Sequence, residues 1–221
     1  MNLLIIAPHA DDEILGVGGT IAKYVDDGHK VYVCIVTSGH PTMFPESCLK
    51  ELRREVSRVH EFLGIENTFF LEFPAVLLKE VPMSELNTKL LKLINDLEPS
   101  VVFLPHYGDM HSDHRIVSSA AMVGLRPINS HKVLEIYSYE TLSETEWNIP
   151  SVKNVFLPNT WVDITKYLDK KLEAMGMYAT QIKEFPHPRS LEAIESLAKL
   201  RGSTIGVHAA EAFSLIRRII I

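Results

Sequence analysis

Two short stretches of this chain concentrate side chains that bind cations and move protons: "PHADDE" at residues 8–13 and "PHYGDMHSDH" at residues 105–114. In the first, Asp11 or Asp12 can cap a following helix and Glu13 can complement its dipole. One acid would suffice for that, a histidine adds nothing to a cap, and adjacent carboxylates repel unless a cation sits among them. In the second, His111 and His114 are three positions apart across a segment where Ser112 or Asp113 can start a helix, so both rings can face one point. Two histidines and a carboxylate with an open position suit catalytic zinc. The same set also describes non-haem Fe(II) centres.

Both stretches follow apolar runs of strand length, and such runs alternate along the chain with amphipathic segments of helix length. That is the pattern of a mostly parallel sheet with helices on both faces. The runs predict strands at 2–7, 31–37, 68–71, 101–105 and 133–139, and helices near 13–27, 47–64, 84–97 and 113–124, with Gly28 and Gly64 as helix stops. From residue 161 onward the pattern reads as helical, broken by the proline-rich "EFPHPRS". With no repeat or linker, the expectation is one Rossmann-like α/β domain over residues 1–221. In open α/β sheets ligands bind beyond the carboxyl ends of the strands, where both polar loops fall.

Composition narrows the partners. A net charge of -6 argues against nucleic acid, which needs clustered Lys and Arg. Leu3 to Ile6 and the C-terminal "LIRRIII" are too short or too interrupted for membrane insertion or a signal sequence, so a cytoplasmic protein is expected. Cys34 and Cys48 do not suggest a disulfide framework or a CxxC metal site. A small ligand is the expected partner, and nothing excludes a homo-oligomer.

"PHADDE" resembles the PHPDDE motif, and "HSDH" the HPDH motif, of the LmbE/PIG-L family of zinc-dependent sugar de-N-acetylases. The C-terminal "HPRSLEAIESLAKLRGSTIGVHAAEAF" also resembles that family, so the likeness spans nearly the whole chain. The resemblance implies that His9, Asp12 and His114 are ligands of Zn²⁺, with Fe²⁺ or Co²⁺ as substitutes. It implies Asp11 as general base, His111 as oxyanion stabiliser and Asp113 as the group that orients His111. Ala10 replaces the motif's usual proline, which loosens the turn but removes no functional atom. The implied activity is hydrolysis of the N-acetyl group of an amino sugar or N-acetylglucosamine conjugate, releasing acetate. Paired with Asp113, the His111 imidazole is expected to stay charged near neutral pH.

The family often carries an arginine near the start of the second helix that reaches the substrate, which points to Arg53 ahead of Arg54. "GVGGT" at 16–20 invites a dinucleotide reading, but its glycines follow three acids and Ile21 stands where the third glycine should be. Those glycines are expected to allow close helix-to-sheet packing. His60 is expected at the surface or boundary, His106 as a group behind the site, and His187 in a structured turn. Arg189 is left between a ligand and an interface, and Tyr107 and Asp109 have no assigned role. Two rivals share the ligand set. A non-haem Fe(II) oxygenase has no use for Asp11 beside Asp12, and a non-catalytic metal-dependent sugar-binding protein has none for Asp11 and His111.

Overall fold

The computed structural model describes residues 1–39, 43–128 and 132–221; His40 and His131 lie outside the described residues. Five parallel strands come first: β1 (Asn2–Ala7), β2 (Lys30–Ser38), β3 (Asn67–Pro74), β4 (Val101–Pro105) and β5 (Glu135–Tyr139). Between them run α1 (Asp12–Asp26), α2 (Glu46–Leu63), α3 (Met83–Leu97) and α4 (Ser112–Gly124). The expected helices are therefore present to within a residue or two, and α2 ends at Gly64 with φ 79°, a left-handed position that favours glycine.

Strand alternation builds two cores. Leu3 and Ile5 face Ile14, Val17 and Ile21 of α1 and Val56 and Val59 of α2. Leu4 and Ile6 face Leu86 and Leu90 of α3 and Val117 and Ala121 of α4. Both faces of β1 are thus dry, which is why the strand reads as an unbroken apolar run.

The structure corrects the reading of the chain beyond residue 160. That region holds β6 (Thr160–Asp163), α5 (Leu168–Gly176), α6 (Leu191–Ile205) and β7 (Ala210–Arg218). The seven-stranded sheet has the order β3-β2-β1-β4-β5-β7-β6, with β7 antiparallel to both neighbours. Because β7 lies inside the sheet, Ala210, Glu211, Ala212 and Phe213 are all buried, and no alternation announces a strand. A buried carboxylate needs partners, and Glu211 takes the Lys171 ammonium at 2.6 Å and the backbone N–H groups of Gly19 and Thr20 at 2.9 and 2.7 Å.

The α1 glycines pack as expected. A Cβ on Gly16 would lie 2.3 Å from Cδ2 of Tyr139, whose ring is buried and whose hydroxyl donates to the Ile6 carbonyl at 2.9 Å. Gly16→Ala is expected to destabilise the fold by about 1–3 kcal/mol through overpacking. Gly176→Ala meets nothing within 4 Å and serves as the control, expected to stay within about 0.5 kcal/mol. Urea denaturation of the two variants checks this, and equal midpoints would contradict the packing account.

Candidate metal and catalytic site

The strand order reverses between β1 and β4, so the connections leaving these neighbouring strands diverge to opposite faces and leave a crevice at their carboxyl ends. "PHADDE" leaves β1 there and "PHYGDMHSDH" leaves β4. The first loop is tied to β2 through the Pro8 carbonyl, which accepts from the Thr37 N–H at 3.0 Å and its hydroxyl at 2.8 Å. The second is tied to β5 through the His106 N–H, which donates to the Tyr139 carbonyl at 3.0 Å.

Asp12 stands at the centre. Its Oδ2 lies 3.3 Å from His9 Nδ1 and 3.2 Å from His114 Nε2. Each ring turns its other nitrogen to an outer carboxylate: His9 Nε2 to Asp113 at 3.1 Å, His114 Nδ1 to Asp109 at 2.8 Å. Outer carboxylates of this kind fix the ring orientation of metal-ligating histidines. His114 Nε2 is buried and, despite its nearness to Asp12, makes no hydrogen bond. A buried nitrogen without a hydrogen bond beside a carboxylate and a second imidazole fits a divalent cation. His9, Asp12 and His114 can converge on one ion. His9, His111 and Asp113 form a second such group, but His111 Nδ1 already accepts the Asp113 N–H at 3.1 Å.

The charges suit a site built around a cation. Burial alone would lower both imidazoles, yet Asp113 and Asp12 hold His9 up to about 9, and Asp12 and Asp109 hold His114 up to about 10. Burial works to raise Asp12, but His114 and His9 outweigh it and keep the carboxyl well below its usual range. At pH 7 both rings therefore carry a second proton that metal coordination must displace. Loading with Zn²⁺ is expected to release about two protons per ion near pH 7, with affinity rising as pH rises and the release fading above about pH 10. Calorimetry in buffers of different ionisation enthalpy measures this. A release near zero at pH 7 would contradict it.

Asp11 holds the N-cap position of α1 with φ 105°, a conformation L residues rarely adopt; its side chain makes no capping hydrogen bond, and its N–H donates to Glu13 Oε2 at 3.1 Å. Glu13 is itself buried and pinned by Tyr178 at 2.5 Å and His60 at 3.2 Å. His60 is thus interior, correcting the surface expectation, because Glu13 and Thr68 satisfy its two nitrogens. The Asp11 carboxylate receives Arg189 Nη1 at 3.1 Å. Burial pushes this carboxyl up to about 7, with Arg189 pulling against it.

One expectation is corrected here. Asp113 does not hold His111 charged: its Oδ2 takes His9 and the Val76 N–H at 2.7 Å and lies 3.9 Å from His111 Nδ1. Burial and the neighbouring His9 instead depress His111 to about 4, so the ring is neutral at pH 7. With Nδ1 accepting from the helix, its proton sits on Nε2. The Arg53 guanidinium pairs with Glu72 and lies 3.5 Å over the Phe70 ring. Leu49 and Leu52 of the same helix line the cleft, and Arg53 follows Leu49 by one helical turn. Arg54 pairs with Glu51 at the surface.

The cleft beside His9, Asp11 and His111 measures about 440 Å³ and is walled by Phe44, Leu49, Leu52 and Val76 on one hand and Glu144 and Arg189 on the other. Arg189 follows the turn in which its N–H donates to His187 Nδ1 at 3.1 Å, so "HPRS" is the segment that brings a cation to Asp11. The His106 ring is engaged elsewhere, its Nε2 meeting the Asn154 carbonyl at 3.0 Å, while its backbone carbonyl accepts the Asp109 N–H at 3.2 Å. Asp109 and Arg189 are the partners that spacing alone did not reveal.

Comparison with known proteins agrees with this architecture. Residues 4–124, which contain both loops, match the family described as PIG-L: GlcNAc-PI de-N-acetylase. The chain is 30% identical over 192 residues to a probable N-acetyl-alpha-D-glucosaminyl L-malate deacetylase 2 of Bacillus anthracis, covering 81% of each protein. A conserved protein of Thermus thermophilus superposes with a TM-score of 0.80 at 28% identity, covering 99% of this chain and 96% of that one. The N,N'-diacetylchitobiose deacetylase of Pyrococcus horikoshii gives 0.77 at 25% identity, covering 98% and 84%. With its motif loops inside the matched region and their side chains gathered at one sheet edge, the chain belongs to the PIG-L, GlcNAc-PI de-N-acetylase, family.

Proposed function

We propose that this protein is a zinc-dependent hydrolase that removes the N-acetyl group from an amino sugar or N-acetylglucosamine conjugate. The observation that carries the reading is the convergence of His9, Asp12 and His114 on one point, with the Asp11 carboxylate opening to the same cleft. The family match and the deacetylases among its relatives support the substrate class.

His9, Asp12 and His114 would hold the ion, which supplies Lewis-acid activation of water and of the amide carbonyl; Fe²⁺ or Co²⁺ suits the same donors. The Asp11 carboxylate takes the proton of the attacking water as its oxygen bonds to the acetyl carbon, and a carboxyl near neutrality can both take and return a proton. Arg189 positions Asp11 Oδ2. The oxyanion that forms is met by the Nε2–H of neutral His111, a donor held in aim by its bond to the helix N-terminus. Protonated Asp11 then delivers its proton to the amine nitrogen as the C–N bond breaks, leaving acetate and a primary amine. Asp113 acts here by holding His9 and, through its N–H, His111.

The test is acetate release from N-acetylated sugars by the purified protein, before and after chelation and after readdition of Zn²⁺, Co²⁺ or Fe²⁺. Loss on chelation and recovery on readdition is expected. Full activity in verified metal-free protein would overturn the mechanism.

A further inference from the structure

A short turn at residues 141–145, just beyond β5, reaches both arms of the site. It closes on itself: the Thr141 carbonyl accepts the N–H groups of Glu144 and Thr145 at 3.1 and 2.9 Å, and the Thr141 N–H donates to Thr145 Oγ1 at 2.9 Å. The Met110 N–H, donating to the Glu144 carbonyl at 3.0 Å, joins it to the second motif loop. One part of the turn meets the arginine behind Asp11. Arg189 Nε donates to Ser143 Oγ at 2.9 Å, Nη2 lies 3.6 Å from Glu144 Oε1, and Nη1 holds Asp11 Oδ2 at 3.1 Å. Another part meets the carboxylate behind a metal ligand. The Thr145 hydroxyl donates to Asp109 Oδ1 at 2.6 Å, and Asp109 Oδ2 holds His114 Nδ1 at 2.8 Å.

Ser143 takes its place against a steric cost. Its φ is 75°, in the left-handed region that favours glycine, and the residue is buried. A glycine would make the same N–H bond, to Glu146 Oε1 at 2.6 Å, without that cost. What serine adds is a hydroxyl, and the hydroxyl's partner is Arg189. Strain of this kind gathers at functional sites, where the surrounding structure holds a side chain in aim. Thr145 is fixed in another way. It gives its one proton to Asp109 and accepts from Thr141, so it cannot turn away without leaving a buried N–H unpaired. On the deacetylase reading above, we propose that this turn positions both arms: Ser143 sets the Asp11 carboxylate through Arg189, and Thr145 sets the His114 imidazole through Asp109.

The experiment uses zinc-loaded protein with N-acetylglucosamine and N,N'-diacetylchitobiose as probes. Ser143→Gly is expected to lower kcat for acetate release roughly tenfold, the effect of a lost hydrogen bond to a charged group, with KM and zinc affinity within about twofold of the parent. Its metal-free melting temperature should stay within roughly 2 °C of the parent, because relief of the strained φ offsets the greater freedom of glycine in the unfolded chain. Thr145→Val keeps the shape. It should weaken zinc binding about three- to tenfold in competition with a chromophoric chelator and leave kcat at saturating zinc within about twofold. Because each residue acts through another, Ser143→Gly on an Arg189→Gln background and Thr145→Val on an Asp109→Ala background should each add less than about twofold. An undiminished loss on either background overturns the proposal, as do parent-like rates and affinities in the single variants. A Ser143→Gly melt far below the parent shows a turn that holds only the fold, and overturns it as well. Acetate from neither sugar with the parent overturns the deacetylase reading and the Asp11 arm with it, while the zinc-affinity cycle still decides the His114 arm.

Discussion

Asp11→Asn is expected to hold one divalent ion per chain as the parent does and to release acetate at least about a hundredfold more slowly. The substitution keeps the shape and the contact with Arg189 but removes the proton acceptor, and a general base contributes about 10²- to 10⁴-fold. Asp12→Ala, one residue away, should do the opposite to the metal. Its Oδ2 is the oxygen both His9 and His114 face, at 3.3 and 3.2 Å, so its loss leaves two ligands and a depleted ion. Metal content by mass spectrometry beside single-turnover rates separates the two. Were Asp11→Asn empty and Asp12→Ala full, the roles of the adjacent acids would be reversed. Were both loaded and fast, these acids would serve only to hold the loop, Asp12 through the His9 N–H and Asp11 through Arg189.

The second large effect is expected at Asp109, which touches no substrate. Its Oδ2 holds His114 Nδ1 at 2.8 Å, and its Oδ1 receives the Thr145 hydroxyl at 2.6 Å. Asp109→Ala frees the buried ring to rotate and should weaken zinc affinity by about 10- to 100-fold, the usual consequence of losing a carboxylate behind a ligating histidine. Competition with a chromophoric chelator reads the affinity, and a thermal melt of the metal-free protein reads any loss of fold. An affinity within twofold of the parent would show that packing alone orients His114.

The parts of this molecule that were legible in advance depend on residues close in sequence. Strand–loop–helix alternation gave the parallel sheet because β1, β2 and β4 are buried on both faces and read as unbroken apolar runs. The two motif loops were legible because His9 to Glu13 and His111 to His114 each fall within one turn of a helix start, where spacing dictates direction. The strand β7 was not legible, since it joins the sheet only by inserting between β5 and β6, and its buried Glu211 belongs to a pair with Lys171 completed across 40 residues.

Charge state was the other thing hidden. Sequence placed Asp113 two positions from His111 and so suggested that it keeps that ring protonated, but the fold presents the carboxylate to His9, 104 residues away, and leaves the half-buried His111 a neutral donor. Arg189 meets Asp11 from 178 residues away, while Arg53, the arginine that resemblance favoured, rests over the Phe70 ring. Hydrophobic periodicity and helix starts are local, so the order of residues alone was enough for the fold class and for the side-chain types that stand at the carboxyl edge. Which carboxylate backs which histidine, which arginine enters the cleft and where the protons sit followed from the folded arrangement, because hydrogen bonding and desolvation depend on neighbours that the chain brings together only when folded.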